Sequence, residues 1–302
     1  MSANQSATTL SAETPSGKGA GDENFPVGSF LLPKALRPHV ARYYDFARAI
    51  DDVADNPALP AAERIERLTR FAGVLDGSLG PLPGYEKAVR LRETMVEKSI
   101  PFRHGTDLTI AFIQDAQKNR YGSWAELIGY CENSANPVGR FLLDLHGEDP
   151  ADYQYADALC TVLQILNHLQ DCGDDLQTLD RCYIPSDWMA DARADIDAVR
   201  APAMSPALTA VKMRMLDGCD TLMDDVRRLP KALKSRHLAM ESAVIVRLAE
   251  RLIARLRKAD PLASRVALTK VDFTVAGVGG AIAGFLAAGS LKRPPSAIGH
   301  TP

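Results

Sequence analysis

Two stretches of this sequence place carboxylates at helical spacing inside otherwise apolar segments. The first runs Tyr44-Asp-Phe-Ala-Arg48-Ala-Ile-Asp51-Asp52-Val-Ala-Asp55, the second Asn167-His-Leu-Gln-Asp171-Cys-Gly-Asp174-Asp175. On a helix, residues four apart are offset by only about 40° around the axis. Asp51 and Asp55 therefore share a face, as do Tyr44, Arg48 and Asp52, and Asn167, Asp171 and Asp175 form one stripe. Like charges stacked this way repel by roughly 0.2–0.5 kcal/mol per pair even when exposed, and burial makes the cost far larger. A divalent cation removes that cost, and Mg²⁺ is typically held by a few carboxylates together with waters and substrate phosphates. Two such stripes on facing helices would make a metal–diphosphate clamp, with Arg48, Arg181 and Tyr183 adding anion-binding or polar groups. Either cluster alone reads equally well as a solvated helix face. The spacing rule they share, and the apolar segments around both, favour the metal site.

The elements that must position these groups are helices. Leu238, Ile245, Leu248, Leu252 and Leu256 recur at three-, four- and seven-residue steps, and Leu159, Val162, Leu166 and Leu169 do the same. This patterning predicts helices over 34–56, 61–76, 83–99, 103–120, 123–132, 135–146, 151–179, 203–228 and 231–258. Pro57, Pro101 and Pro230 fall where helices should break. The sequence contains no GxGxxG after a strand, no phosphate-binding P-loop and no internal repeat. The fold class is therefore all-α, a single domain over 23–290. Residues 1–22, rich in Ser, Thr, Ala and Gly, bury too little to offset their ordering entropy and are predicted as a disordered leader. Residues 291–302 are predicted as a flexible tail.

Composition narrows the function classes. The 302 residues are 46% hydrophobic and 24% charged, which excludes a fibre or a wholly disordered chain. With 35 basic and 38 acidic residues the net charge is −3, so no basic excess points to nucleic acid and any bound anion must be held locally. Cys131, Cys160, Cys172, Cys182 and Cys219 are odd in number and contain no CxxC pair, which suits reduced thiols in a cytoplasmic protein. Phe273 to Gly289 carries no charge but is shorter than the roughly 20 residues of a membrane-spanning helix. It is either a terminal helix packed on the domain or a peripheral membrane contact aided by Lys292 and Arg293.

At this point the chain resembles the squalene/phytoene synthase family. The matching pieces, in order, are Leu31-Leu-Pro33, Tyr44-x-x-x-Arg48-x-x-Asp51-Asp52-x-x-Asp55, Arg120-Tyr121, Tyr130-Cys131, Val138-Gly139, Asn167-x-x-x-Asp171-x-x-x-Asp175 and Arg181-x-Tyr183-x-Pro185. The resemblance runs from about Glu23 to Leu268. It implies an all-α isoprenoid (prenyl) synthase fold with a deep central cavity. It further implies that Asp51, Asp52 and Asp55 face Asn167, Asp171 and Asp175 across the mouth, binding Mg²⁺ and prenyl diphosphate. Arg48, Arg181 and Tyr183 would contact diphosphate, and Tyr44 and Tyr130 would influence a carbocation.

The departures from the family pattern narrow the reading. Asp22 and Asn24 stand where condensing members carry serines, Asn136 and Arg140 add polarity around Val138-Gly139, and Gln170 replaces a common Arg. These features resemble a bacterial branch of the family that serves squalene and hopanoid biosynthesis. The resemblance implies a substrate, presqualene diphosphate, that ionises, rearranges and is quenched by water to give hydroxysqualene and diphosphate. Asn136, Arg140 or His168 would help place that water. The implied partners in the reaction sequence are a presqualene diphosphate synthase and a squalene-forming reductase. The alternatives are a synthase condensing two allylic diphosphates and a non-catalytic subunit that binds prenyl diphosphate.

Overall fold

A computed structural model describes residues 31–291. The predicted leader, Asp22 and Asn24, and Lys292 and Arg293 in the predicted tail lie outside the described residues. Helix follows helix: α1 (Arg37–Ala54), α2 (Ala61–Asp76), α3 (Glu86–Lys98), α4 (Arg103–Asp115), α5 (Trp124–Ser134), α6 (Asn136–Leu145), α7 (Tyr153–Gln170) and α8 (Cys172–Leu179). Then come α9 (Ser186–Asp191), α10 (Pro206–Val226), α11 (Leu229–Ala232), α12 (Arg236–Lys258) and α13 (Lys270–Ala287). The described residues contain no strand, only a lone parallel bridge between Arg120 and Cys182.

Local chemistry sets most of the boundaries. The side chains of Ser123, Ser205 and Ser235 accept the N–H groups of Glu126, Leu208 and Leu238, each satisfying a donor that the first helical turn leaves open. Pro57 follows the end of α1, Pro101 separates α3 from α4, and Pro230 sits in the first turn of α11, between α10 and α12. Several boundaries differ from the sequence expectation: the helix predicted over 103–120 ends at Asp115, and the one predicted over 231–258 starts at Arg236, after the separate α11. The helix predicted over 151–179 is two helices meeting at Asp171, whose backbone (φ −105°, ψ 9°) leaves helical geometry. The short α9, which follows Pro185, was not anticipated from periodicity, because six residues carry too few apolar repeats to register.

Most of the apolar faces meet in one core, and a small second cluster of Val244, Leu248 and Ala276 joins α12 to α13. Phe46, Ile50 and Val53 of α1 join Phe71, Leu108, Phe141, Ile165, Met215 and Leu252 from six other helices. Gly139 lets α6 approach α7 closely. A Cβ there would lie 2.9 Å from Cys160 Sγ and 3.1 Å from the Ala156 Cβ. The Val138-Gly139 pair thus has a packing role, holding together two helices that wall the cavity described below.

The glycine-rich terminal run is a helix docked on α12. Its first turn is a capping box: Thr269 Oγ1 accepts the Asp272 N–H, and Asp272 accepts the Thr269 N–H (2.8 Å). Arg251 and Arg255 of α12 also donate to the Asp272 carboxylate, at 3.1 and 2.6 Å. Gly280 and Gly284 face Val244 and Ala239 so closely that a Cβ would fall within 2.7 and 2.3 Å of their atoms. The GxxxG of the sequence is therefore a packing seam within this chain.

The hydrogen bonds from Thr269 hold the Asp272 carboxyl down to about 2, with the two arginines adding to the effect. The unfolded group titrates near 3.8, so its stabilisation is complete above that pH and is lost as pH falls towards 2. Asp272→Ala is expected to lower stability at neutral pH by about 1 kcal/mol from the cap alone. The gap to the parent should close between pH 4 and 2, read by thermal melts across that range.

Candidate active site

One residue of each acidic cluster, Asp51 of α1 and Asn167 of α7, lines a cavity of about 400 Å³ bounded by α1, α4, α6, α7, α11 and α12, and this end is its acidic mouth; Asp52, Asp55, Asp171, Asp175, Arg181 and Tyr183 are not among the lining residues. Tyr44, Arg48 and Asp51 of α1 line it together with Asn167 of α7. Farther in, the wall is largely apolar, with Phe112, Phe141, Leu159, Leu163 and Ile245 prominent.

Although the second stripe spans a helix junction, it keeps its register. The Asp171 N–H donates to the Asn167 carbonyl (3.0 Å), and the Asp175 N–H donates to the Asp171 carbonyl (2.8 Å). Those two bonds preserve the four-residue spacing across the break, so Asn167, Asp171 and Asp175 remain on one side.

Arginines hold the first cluster. Arg48 spans Asp51 (3.1 Å) and Asp52 (3.0 Å) from a single turn, and Asp52 is buried. Arg181 arrives from far along the chain, donating to Asp55 Oδ1 at 2.6 Å and to the Ala54 carbonyl at 3.3 Å. Its own N–H donates to the Asp175 carbonyl. Arg181 therefore ties the end of α1 to α8 and fixes the two acidic clusters as neighbours. The electrostatics agree: burial pushes the Asp175 carboxyl up to about 7, Asp171 and Asp55 push in the same direction, and Arg181 opposes them. A buried carboxylate destabilised by acidic neighbours is relieved by a bound cation.

Behind the mouth lies a buried polar network. Tyr130 and Tyr183 both donate to Asp115, at 2.7 and 3.2 Å. Burial raises Asp115 to about 6, while Arg181 and the Tyr130 hydroxyl lower it. Tyr183 stacks on His168 with ring centroids 3.5 Å apart, and burial pushes that imidazole down to about 3, keeping it neutral. Asp115 was not singled out in the sequence, where it is a lone acid at the end of a helix.

The remaining candidates are placed as follows. Asn136 is buried and accepts the Thr161 hydroxyl (2.9 Å). Arg140 forms a two-pronged pair with Asp157, at 2.8 and 2.7 Å. Tyr130, Asn136, Arg140 and His168 are not among the residues lining the cavity, whereas Tyr44 is. Among the wall residues that escaped the sequence reading are two polar ones of α12, Glu241 and Ser242, both buried.

The donor set suits Mg²⁺: five carboxylates and one amide, oxygen ligands of the kind a hard cation takes. Among the described residues no three His, Cys, Asp or Glu side chains converge as a ready-made metal cage.

An all-α shell around an apolar cavity with an acidic, arginine-buttressed mouth defines a class of enzyme that handles an oily substrate bearing an anionic head. A model of the squalene/phytoene synthase family matches residues 19–272, and the chain belongs to that family. It is 40% identical over 271 residues to the hydroxysqualene synthase of Rhodopseudomonas palustris, covering 90% of this chain and 92% of that one. It is 42% identical over 260 residues to the hydroxysqualene synthase of Zymomonas mobilis, covering 85% and 86%. Among solved structures, squalene synthase HpnC from Alicyclobacillus acidocaldarius superposes with a TM-score of 0.68 at 29% identity, over 77% of this chain and 87% of that one. A dehydrosqualene synthase in complex with ligand shares the fold at a TM-score of 0.71 and 19% identity, over 86% and 90%.

Proposed function

We propose that this chain converts presqualene diphosphate and water to hydroxysqualene and diphosphate. The observation that carries the reading is the union of the acidic mouth with the apolar cavity, in a chain 40–42% identical to enzymes named for that product. Asp51, Asp52, Asp55, Asn167, Asp171 and Asp175 would hold Mg²⁺, which when bound neutralises charge growing on the departing diphosphate. Arg48 and Arg181 orient those carboxylates, and either can turn a guanidinium N–H toward diphosphate oxygen. Tyr44 stands on the wall beside Arg48, where its ring can face the cation left behind. The apolar wall restrains side reactions of that cation by excluding bulk water.

Supplying each substrate separately tests the reading. With presqualene diphosphate, Mg²⁺ and no nicotinamide, mass spectrometry should find hydroxysqualene, lost on chelation. Turnover only of farnesyl diphosphate, giving presqualene diphosphate, would move the chain to the condensing reaction. In the reaction sequence, a condensing synthase must supply this substrate and a reductase must consume the alcohol.

The exposed face of α13 supports peripheral membrane contact from the cytoplasm. Val271, Val275, Val278, Ile282, Phe285 and Leu286 are exposed within an arc of roughly 100°, opposite the stripe of Asp272, Ala276, Gly280 and Gly284 packed on α12. Beside the start of α13, Arg251, Arg255, Lys258 and Arg265 line a cleft with Asp272, which pairs with Arg251 and Arg255, and no carboxylate among the described residues pairs with Lys258 or Arg265. An apolar stripe with flanking cations suits an anionic lipid surface. The parent should float with vesicles containing phosphatidylglycerol, and Val278→Asp with Ile282→Asp should abolish flotation without lowering the melting temperature. Equal flotation of both proteins would refute the contact.

A further inference from the structure

The cations near the end of α12 divide into two sets. Arg257 turns toward α10, where Asp217 and Asp220 accept from it at 2.7 and 2.6 Å. Arg251, Arg255 and Lys258 follow four- and three-residue steps along another face. They line a cleft of about 550 Å³ together with Ser264 and Arg265 of the loop that leads to α13. A helix C-terminus favours basic residues in its last turn. That accounts for Arg255 and Lys258, but not for Arg251 a turn earlier or for Arg265 on the loop.

A single carboxylate in the cleft answers these cations. Asp272 accepts from Arg251 and Arg255, at 3.1 and 2.6 Å, and from the Thr269 N–H and hydroxyl, at 2.8 and 2.7 Å. Its two oxygens are thus engaged by four donors, and no carboxylate among the described residues pairs with Lys258 or Arg265. Like charges at these helical spacings repel by roughly 0.2–0.5 kcal/mol per pair. The chain as a whole carries a net charge of −3, so this basic excess is local.

The wall that carries Arg265 is pinned at several points. Lys212 donates to the Ala259 carbonyl at 2.6 Å, and Asp260 accepts the Met204 and Leu262 N–H groups at 2.7 and 2.9 Å. Directly after Arg265, the Val266 carbonyl accepts the side-chain amide of buried Gln170 at 2.5 Å. Gln170, which stands where relatives commonly carry Arg, clamps the loop to the end of α7 without adding a buried charge. The backbone that carries Arg265 is therefore set before any ligand arrives, which lowers the ordering cost of binding.

We propose that this cleft is a discrete phosphate-binding site, separate from the acidic mouth, in which phosphate oxygens lie between Lys258 and Arg265 and take further N–H groups from Arg251 and Arg255. Guanidinium and ammonium groups make charge-assisted hydrogen bonds to phosphate, and the N–H groups that the two arginines do not give to Asp272 remain for it. The ligand is a phosphate ester or free phosphate, carried by a lipid head group or by a soluble molecule. None of the residues lining the cleft lines the cavity. The membrane reading uses these cations as diffuse charge, whereas a discrete site binds one phosphate per chain without a bilayer. It holds whatever substrate the cavity takes.

Calorimetric titration of the full-length protein tests the site. The probes are inorganic phosphate and dihexanoyl phosphatidic acid below its micelle concentration, in EDTA so that the acidic mouth holds no Mg²⁺. The parent should bind one ligand per chain, more weakly as salt is raised. Lys258→Gln with Arg265→Gln should raise Kd at least roughly tenfold, whereas Lys258→Arg with Arg265→Lys should keep the binding. Lys258 and Arg265 are exposed, so the melting temperature should not change; the single variant Arg265→Gln should raise Kd in the same direction by less. Tighter binding of the lipid assigns the site to a head group, and equal binding assigns it to free phosphate. No binding of either probe by the parent, or an unchanged Kd in the double glutamine variant, overturns the proposal. Val278→Asp with Ile282→Asp should leave this binding intact, so loss of flotation and loss of phosphate binding are separate results.

Discussion

Asp171→Ala is expected to lower kcat/KM for presqualene diphosphate by at least roughly 10³-fold, about 4 kcal/mol of transition-state stabilisation. Asp171 stands at the α7–α8 junction, midway along the stripe that continues from Asn167 to Asp175. Its backbone N–H and carbonyl make the bonds that carry the register across the junction, and alanine retains both. The variant should therefore fold, losing one oxygen ligand and one negative charge. Diphosphate leaves only as fast as its developing charge is neutralised, and removing one such contact typically costs 10²–10³-fold or more. Calorimetric titration with inorganic diphosphate and Mg²⁺ supplies a readout independent of turnover. Binding that depends on Mg²⁺ in the parent should be lost in the variant, and the melting temperature should stay within a few degrees.

Arg181→Lys is the second large effect, with kcat/KM expected to fall by roughly 10²-fold and the melting temperature by several degrees. The Arg181 guanidinium is nearly buried and donates to both Asp55 and the Ala54 carbonyl, joining residues 126 positions apart. A lysine keeps the charge but has no planar fork, so one of those two bonds is lost and the end of α1 is no longer pinned to α8. The positive charge also moves away from Asp115 and Asp175, whose carboxyls it holds down. Steady-state diphosphate release and a thermal melt read the two parts separately. Full activity in the lysine variant would mean that charge alone suffices at this position and that the clusters need no pinning.

The sequence shows the acidic stripes clearly because helix periodicity turns a four-residue spacing into a shared face. It does not show that the stripes are neighbours. That depends on Arg181 meeting Asp55, a contact between segments with no local relation. The family resemblance supplied the expectation, and the geometry gives its physical cause. Gly139 carried only a motif's weight until its contact with Cys160 and Ala156 gave it a packing role. Asp115 and Glu241 were missed for one reason. A single acid among the many charged residues of an amphipathic helix looks like solvent-facing polarity, and only burial distinguishes it. The break at Asp171 was hidden because the hydrogen-bond spacing, and with it the apolar pattern, continues through the junction. For α13, four glycines weaken the helix, yet the capping box and the two arginines on Asp272 anchor its start.

On the proposed reading, the carbon–oxygen bond of presqualene diphosphate ionises in this cavity and water captures the cation. Turnover in H₂¹⁸O, followed by mass spectrometry of the alcohol and of the released diphosphate, tests it most directly. Ionisation and capture place the heavy oxygen in hydroxysqualene and leave the diphosphate unlabelled. An alcohol with no label, with ¹⁸O in the phosphorus-containing product, would mean attack at phosphorus and contradict the account.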